Sequence, residues 1–125
     1  MNPFLAECDD RFELRLSMIA EAGLGVFARV PLPTGATLEV IGLLVERESI
    51  SDRCTHFADH HKFRVGDKLL IPVGFGGLVN HSIEPNLEKV FDGDRVFLRS
   101  VRPIAADEEL FFRYPDPALK RFGLA

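Results

Sequence analysis

Cysteine is scarce in this chain, with only Cys8 and Cys54 among 125 residues. Two cysteines are too few for the disulfide framework of a small secreted protein, so we expect both thiols to be reduced. The chain also lacks any apolar run near the roughly 20 residues that a membrane-spanning helix needs. Its first residues lack the basic start and the apolar stretch of a secretion signal. These absences predict a cytoplasmic protein with no membrane partner.

A basic excess is missing too. The chain has 15 Lys and Arg against 19 Asp and Glu, for a net charge of -4, and its pI is near 5.5. Nucleic-acid-binding surfaces usually show a basic patch, so we expect no direct contact with nucleic acid. An acidic domain attracts basic partners instead, and the predicted partner is a basic protein or peptide, such as a histone-like or ribosomal protein. A homodimer is compatible with this composition.

What the sequence does contain is a series of short β patterns. Its length fits one domain, residues 1–125, which would bury roughly two thirds of the surface of the unfolded chain. Apolar and polar residues alternate in RFELRLSMI, residues 11–19, as they do in a half-buried strand. The stretch ATLEVIGLLVE, residues 36–46, predicts one strand interrupted by Gly42.

A hairpin and two short helices complete the predicted elements. KVFDGDRVFLRSV contains Asp92 and Gly93 between two β-rich runs, which predicts a hairpin that turns at these two residues. A helix capped by Ser51 or Asp52 would cover DRCTHFADHH, and the tail 115–125 would form one helical turn. The sum is a β-rich domain with little helix.

The stretch GLVNHSIEPN places Asn80, His81 and Ser82 side by side at the end of an apolar, glycine-rich run. One interpretation is local, with turn-forming residues around a half-buried, satisfied histidine. The other is a binding site, since glycines in a core-like segment suggest that something comes close to the backbone. A Ser–His hydrolase is excluded, because adjacent residues on an extended chain point to opposite faces and no strained elbow exposes the serine.

Three further patterns are ambiguous when each is taken alone. AGLGVFA has a G-x-G, but it lacks the helix and the third glycine of a dinucleotide-binding fingerprint. In EELFFRY the aromatic residues could be core and the pair Glu108 and Glu109 a solvated edge. The stretch CTHFADHH offers zinc ligands without the second cluster that would close a tetrahedral site. Its four candidate ligands are Cys54, His56, His60 and His61.

The order of these patterns is more specific than any of them alone. A glycine pair followed by VFA, then NHS-x-x-PN, then EEL-x-x-x-Y, together resemble the SET domain of protein-lysine methyltransferases. The resemblance covers residues 12–114 and is closest to the free-standing SET proteins of viruses and bacteria, which carry GFG ahead of NHS as residues 74–76 do here. It implies a mostly β, β-clip-like fold with several short-stranded sheets, a C-terminal pseudoknot and little helix.

The resemblance implies transfer of methyl groups from S-adenosyl-L-methionine to the side-chain amine of lysine in a protein. Tyr114, the lone tyrosine, is the implied catalytic residue. We expect it to orient the amine and the methyl group, because a phenol with a pKa near 10 is a mediocre base at neutral pH. The implied cofactor-binding residues are Gly23, Leu24, Gly25, Asn80, His81, Tyr114 and Phe122.

The lysine channel would be lined by Phe112, two residues before Tyr114, and by His61. A phenylalanine at position 112 usually accompanies di- or trimethylation in this family. The sequence also departs from the family, which commonly has tyrosine at Val40, arginine at Gly77 and aspartate at Arg113.

Two alternatives to the enzyme remain. One is a catalytically inactive SET-like module that binds a basic peptide or the cofactor. The other is a small β-rich zinc protein, whereas the methyltransferase interpretation requires no metal. In a host with histones the expected location becomes nuclear or chromatin-associated.

Overall fold

The computed structural model describes residues 9–49 and 62–121. Over these ranges the chain forms ten short strands, one 3₁₀ turn at Phe75–Gly77 and one helix, α1, at Asp116–Arg121. The strands are β1 Phe12–Leu16, β2 Leu24–Ala28, β3 Thr37–Val40, β4 Gly42–Glu46, β5 Phe63–Val65, β6 Lys68–Pro72, β7 Asn80–His81, β8 Leu87–Asp92, β9 Arg95–Ser100 and β10 Phe111–Phe112.

The strands form four small sheets. β1 pairs with β2, β9 lies between β3 and β8, and β6 lies between β4 and β5, all in antiparallel order. The fourth sheet contains β7 and β10, which run parallel. The prediction of a mostly β fold built from several short-stranded sheets is confirmed.

The core contains buried side chains from all four sheets, among them Val26, Leu70, Val96 and Phe112. Along β9 the side chains of Val96, Leu98 and Ser100 are buried while those of Arg95 and Arg99 are exposed, which is the period-2 alternation of a strand with one face in the core. Each fully buried Val or Leu side chain stabilises the fold by about 1.5–3 kcal/mol.

Two element predictions differ from the structure in detail. Residues 36–46 form two strands in different sheets, because β3 pairs with β9 whereas β4 pairs with β6. The Ile41 carbonyl, between them, accepts a hydrogen bond of 2.9 Å from the Val73 N–H. The hairpin turns at Gly93 and Asp94, since Asp92 already pairs with Arg95. The predicted turn was therefore one residue early.

The tail forms the helical turn that the sequence predicts, and α1 buries Ala118 and Leu119. Within the described ranges, no helix has the length and apolar character to cross a membrane. The predicted helix that follows Ser51 lies outside the described residues.

Candidate functional site

The NHS and EEL motifs meet in the parallel pair of β7 and β10. Asn80 lies opposite Phe111, and His81 lies opposite Phe112. The Ser82 N–H extends the pair by donating to the Phe112 carbonyl at 3.2 Å. Two segments about 30 residues apart along the chain therefore lie side by side, as the resemblance implies for its C-terminal crossing.

The glycine motif joins the same region through the EEL segment. The Leu110 N–H donates to the Val26 carbonyl at 2.8 Å, and the Ala28 N–H donates to the Glu108 carbonyl at 2.9 Å. β2 therefore lies directly against the chain that leads into β10. Three motifs that are distant in sequence therefore meet in one region of the fold.

Gly25 is packed too tightly for a side chain. A Cβ at this position would lie 2.9 Å from Glu109 Cδ and 3.1 Å from Asn80 Nδ2. The glycine was expected to let a cofactor approach the backbone, whereas the structure shows that Glu109 and Asn80 already occupy this space. Gly23 has a positive φ of 76° with open space around its missing Cβ, and the neighbouring Leu24 side chain is 48% exposed.

Asn80 connects the glycine motif to the EEL motif. Its Nδ2 donates to the Leu24 carbonyl at 3.1 Å and to Glu109 Oε2 at 3.2 Å. These two acceptors fix which way the amide points. Its Oδ1 accepts no hydrogen bond from any residue that the structure describes, so an acceptor remains open beside the glycine motif.

His81 and Tyr114 are tied together by a backbone hydrogen bond. The Tyr114 N–H donates to His81 Nδ1 at 2.9 Å, and the two rings lie 5.3 Å apart. Because Nδ1 accepts, the neutral imidazole carries its proton on Nε2. Burial, with a smaller contribution from the positive charge of Arg113, lowers the pKa of His81.

The phenol of Tyr114 is held as a hydrogen-bond donor. Its hydroxyl donates to the Val79 carbonyl at 2.8 Å, and burial raises the pKa of Tyr114 to about 12. The hydroxyl therefore keeps its proton at neutral pH and can orient a nucleophile but not deprotonate it. The Phe112 ring lies 4.9 Å from the Tyr114 ring and stacks on Phe63 at 5.8 Å.

Val40, where the family commonly has a tyrosine, is a core residue of β3. A Cβ on Gly76 would lie 2.8 Å from Val40 Cγ2. The glycine-rich run predicted that some group comes close to its backbone. At Gly76 that group is the Val40 side chain of the protein itself.

Glu109 was not predicted as a site residue. The sequence allowed Glu108 and Glu109 to be a solvated pair, but only Glu108 is near the surface, where it pairs with Arg102. Glu109 is 4% exposed and accepts hydrogen bonds from the Ser17 hydroxyl and the Met18 N–H at 2.7 and 2.8 Å. The sequence signal was the apolar run that follows it, which indicates that one member of the pair faces inward.

The remaining predicted residues cannot be placed. His61 and Phe122 lie outside the described residues, as do the four candidate zinc ligands. In the rest of the chain, no three metal-ligating side chains come together.

We expect the folded protein to lose stability in acid because His81 accepts a hydrogen bond at Nδ1. Because the pKa of His81 is lowered in the folded protein, the unfolded chain binds more protons below the ordinary value of 6.5. The stability is therefore fully present above pH 6.5 and falls as the pH drops below it, when Nδ1 becomes a donor facing the Tyr114 N–H. Urea unfolding at pH 7.5 and 5.5 should show a larger loss for wild type than for His81→Asn, which keeps an acceptor but does not titrate. Equal losses would contradict this assignment.

Comparison with known proteins agrees with this geometry. A model of the SET domain family matches residues 23–115. A candidate histone methyltransferase of Plasmodium falciparum superposes with a TM-score of 0.67 and 21% identity, over 86% of this chain and 96% of that one. No curated protein matches significantly.

Polycomb repressive complex 2 is also similar in structure. Its basal and stimulated states give TM-scores of 0.73 and 0.69 at 23% and 21% identity. Both matches cover 84% of this chain but only 15% of the polycomb chain. Likeness at these identities shows the fold. Since the family model also spans most of the sequence, the chain belongs to the SET domain family.

Proposed function

We propose that the protein is an S-adenosyl-L-methionine-dependent methyltransferase that acts on the side-chain amine of lysine in a basic protein. One observation carries the proposal. The lone tyrosine of a SET-family chain lies half-buried where the NHS and EEL segments meet, with its hydroxyl held as a donor. Such a group suits a reaction in which alignment of two reactants matters more than acid or base strength.

The residues present fit the proposed cofactor. S-adenosyl-L-methionine carries an ammonium group, and Asn80 Oδ1 is an open acceptor next to the exposed residues Gly23 and Leu24. The His81 Nε2 proton would add a donor. When bound, the cofactor would supply a methyl group on a positively charged sulfur. Phe122 remains a predicted cover for the adenine.

Tyr114 would position the lysine amine. With its proton donated to the Val79 carbonyl, the phenol oxygen can accept an N–H from the amine. The lysine has to react as the neutral amine, although its ordinary pKa is about 10.4. The apolar wall formed by Phe112 and Phe63 favours the neutral form by desolvation. The proton would leave to solvent.

A non-catalytic SET-like module is the alternative that the structure also supports. Val40 is used in packing against Gly76, so no second phenol stands at that position, and Arg113 places a positive charge next to Tyr114. A module of this kind would bind the cofactor or a basic peptide without turnover.

Transfer of labelled methyl groups separates the two functions. Purified protein is incubated with methyl-labelled S-adenosyl-L-methionine and a mixture of basic proteins, and cofactor binding is measured in parallel by calorimetry. Label on lysine is the expected result. Measurable binding without transfer would favour the module, and absence of both would reject the proposed function.

Phe112 predicts the degree of methylation. The ring lacks a hydroxyl that could hold a water molecule in the channel, so we expect di- or trimethyllysine as the product. Phe112→Tyr should shift the product to monomethyllysine, as measured by mass spectrometry of a basic peptide at long reaction times. Monomethyllysine as the sole wild-type product would contradict this assignment.

The substrate is proposed to be basic because the chain has a net charge of -4. A histone-like or ribosomal protein fits that description. We place the reaction in the cytoplasm, or at chromatin in a host with histones. A survey of methyl-lysines that disappear when the gene is deleted would identify the substrate.

A further inference from the structure

Glu109 is a buried acidic residue that the proposed chemistry does not use. Its carboxylate is 4% exposed, and no cationic side chain among residues 9–49 and 62–121 forms an ion pair with it. A buried carboxylate costs free energy unless hydrogen bonds compensate it. Here three donors do so, and they come from two separate segments of the chain.

The first segment is the turn that leads into the glycine motif. The Ser17 hydroxyl donates to Oε2 at 2.7 Å, and the Met18 N–H donates to Oε1 at 2.8 Å. Ser17 also donates its backbone N–H to the Gly23 carbonyl at 2.8 Å. The Met18 side chain itself is 81% exposed. The turn between β1 and β2 is therefore attached to the interior through Glu109 and not through its own apolar side chains.

The second segment is the NHS motif. Asn80 Nδ2 donates to Oε2 of the same carboxylate at 3.2 Å, while Gly25 leaves the space that Glu109 occupies. One carboxylate thus sets the position of the glycine turn, the rotamer of Asn80 and the direction of the open Asn80 Oδ1 acceptor.

We infer that Glu109 is a positioning residue that holds the glycine turn and Asn80 in the geometry needed for cofactor binding. The inference rests on the proposed function, because the ligand of this cradle is S-adenosyl-L-methionine. Glu109 acts through Ser17, Met18 and Asn80 and does not itself touch the reacting atoms.

Glu109→Gln tests the inference at constant size. A glutamine offers one acceptor oxygen and one NH₂ group. With the glutamine oxygen towards Asn80, the glutamine NH₂ group faces the Met18 N–H. With the oxygen towards Met18, the NH₂ group faces the NH₂ group of Asn80. Either orientation sets two donors against each other. The matched control is Glu108→Gln, the same change one residue earlier on a side chain that pairs with Arg102.

Two measurements are made on the full chain. Hydrogen exchange at the Met18 amide, without cofactor, should accelerate in Glu109→Gln and stay at the wild-type rate in Glu108→Gln. Calorimetry should show affinity for S-adenosyl-L-methionine reduced about tenfold or more in Glu109→Gln, because binding then has to order the turn. The KM for the cofactor should rise likewise, while kcat at saturating cofactor and the KM for a lysine peptide stay near wild type.

A milder variant protects the test against misfolding. Ser17→Ala removes one donor at a half-buried position and should change both readouts in the same direction by a smaller amount. An unchanged exchange rate or an unchanged cofactor affinity in a folded Glu109→Gln protein would overturn the inference. If wild type binds no S-adenosyl-L-methionine, the proposed function fails and the cofactor role of Glu109 with it, whereas its structural link to the turn is still measured by exchange at Met18.

Discussion

Replacing Tyr114 by phenylalanine should lower kcat/KM for methyl transfer about 100-fold or more, because loss of the orienting hydroxyl misplaces the amine. The effect on cofactor affinity should be much smaller, since the ring and its contacts with His81 and Phe112 are kept. Single-turnover transfer to a basic peptide and calorimetry with S-adenosyl-L-methionine measure the two quantities separately. Loss of the bond to the Val79 carbonyl should cost about 1 kcal/mol of folding stability.

A double variant serves as the control for Tyr114→Phe, because it moves the phenol hydroxyl to another position. Phe112→Tyr combined with Tyr114→Phe keeps one phenol in the aromatic cluster but places it two residues earlier. This double variant should remain as inactive as Tyr114→Phe. Wild-type activity in the single variant, or recovery in the double variant, would show that the position of the phenol is not what supports the reaction.

The pH dependence of transfer gives a second check on Tyr114. With its pKa raised to about 12 by burial, the phenol stays protonated over the whole range in which the protein can be assayed. A rate increase with pH up to 10 should therefore be identical in form for wild type and Tyr114→Phe, since it reflects the lysine amine alone. A rising limb that disappears in the variant would show that the phenolate acts as a base.

Asn86→Ala should reduce the free energy of unfolding by about 2–4 kcal/mol, the largest stability effect that we expect from a polar side chain here. Asn86 is 2% exposed. Its Nδ2 donates to the Glu109 carbonyl at 2.8 Å, and its Oδ1 accepts from the Phe111 N–H at 2.8 Å. The alanine would leave the buried Glu109 carbonyl and the partly buried Phe111 N–H without these partners.

Urea unfolding measures this loss. The control is Glu84→Ala, in the same loop, where the side chain is exposed and the stability should change by less than about 0.5 kcal/mol. A midpoint for Asn86→Ala equal to that of Glu84→Ala would show that the described hydrogen bonds do not stabilise the segment next to β10.

Local alternation was enough to predict much of the fold. In RFELRLSMI the pattern identified β1 as a strand, but Leu14 and Leu16 are exposed, so its alternation does not mark a half-buried face. The strand ends at Leu16 because Ser17 and Met18 bond to Glu109, 92 and 91 residues away. No local pattern can reveal a partner at that separation. The division of residues 36–46 into β3 and β4 was missed for a related reason, since it depends on which strands they pair with.

For the site, the resemblance to SET domains, carried by the order of three motifs, named Tyr114, Asn80 and His81. The structure brings these three residues together. The reason for Gly25 could not be read from the sequence, because it depends on a carboxylate that packs against it. The sequence indicates that one member of the pair Glu108 and Glu109 faces inward, but which of the two is buried depends on their partners in the fold.

The parallel pairing of β7 with β10 also determines when the site can exist during synthesis. A nascent chain that has left the ribosome only as far as Asn80 holds β1 and β2 but has neither Glu109 to anchor their turn nor a phenol. Contacts this distant form late in folding, after the entropy of closing a long loop has been overcome. The ability of the chain to bind the proposed cofactor should therefore appear in a single step, once residues 108–114 can pack against β2 and β7.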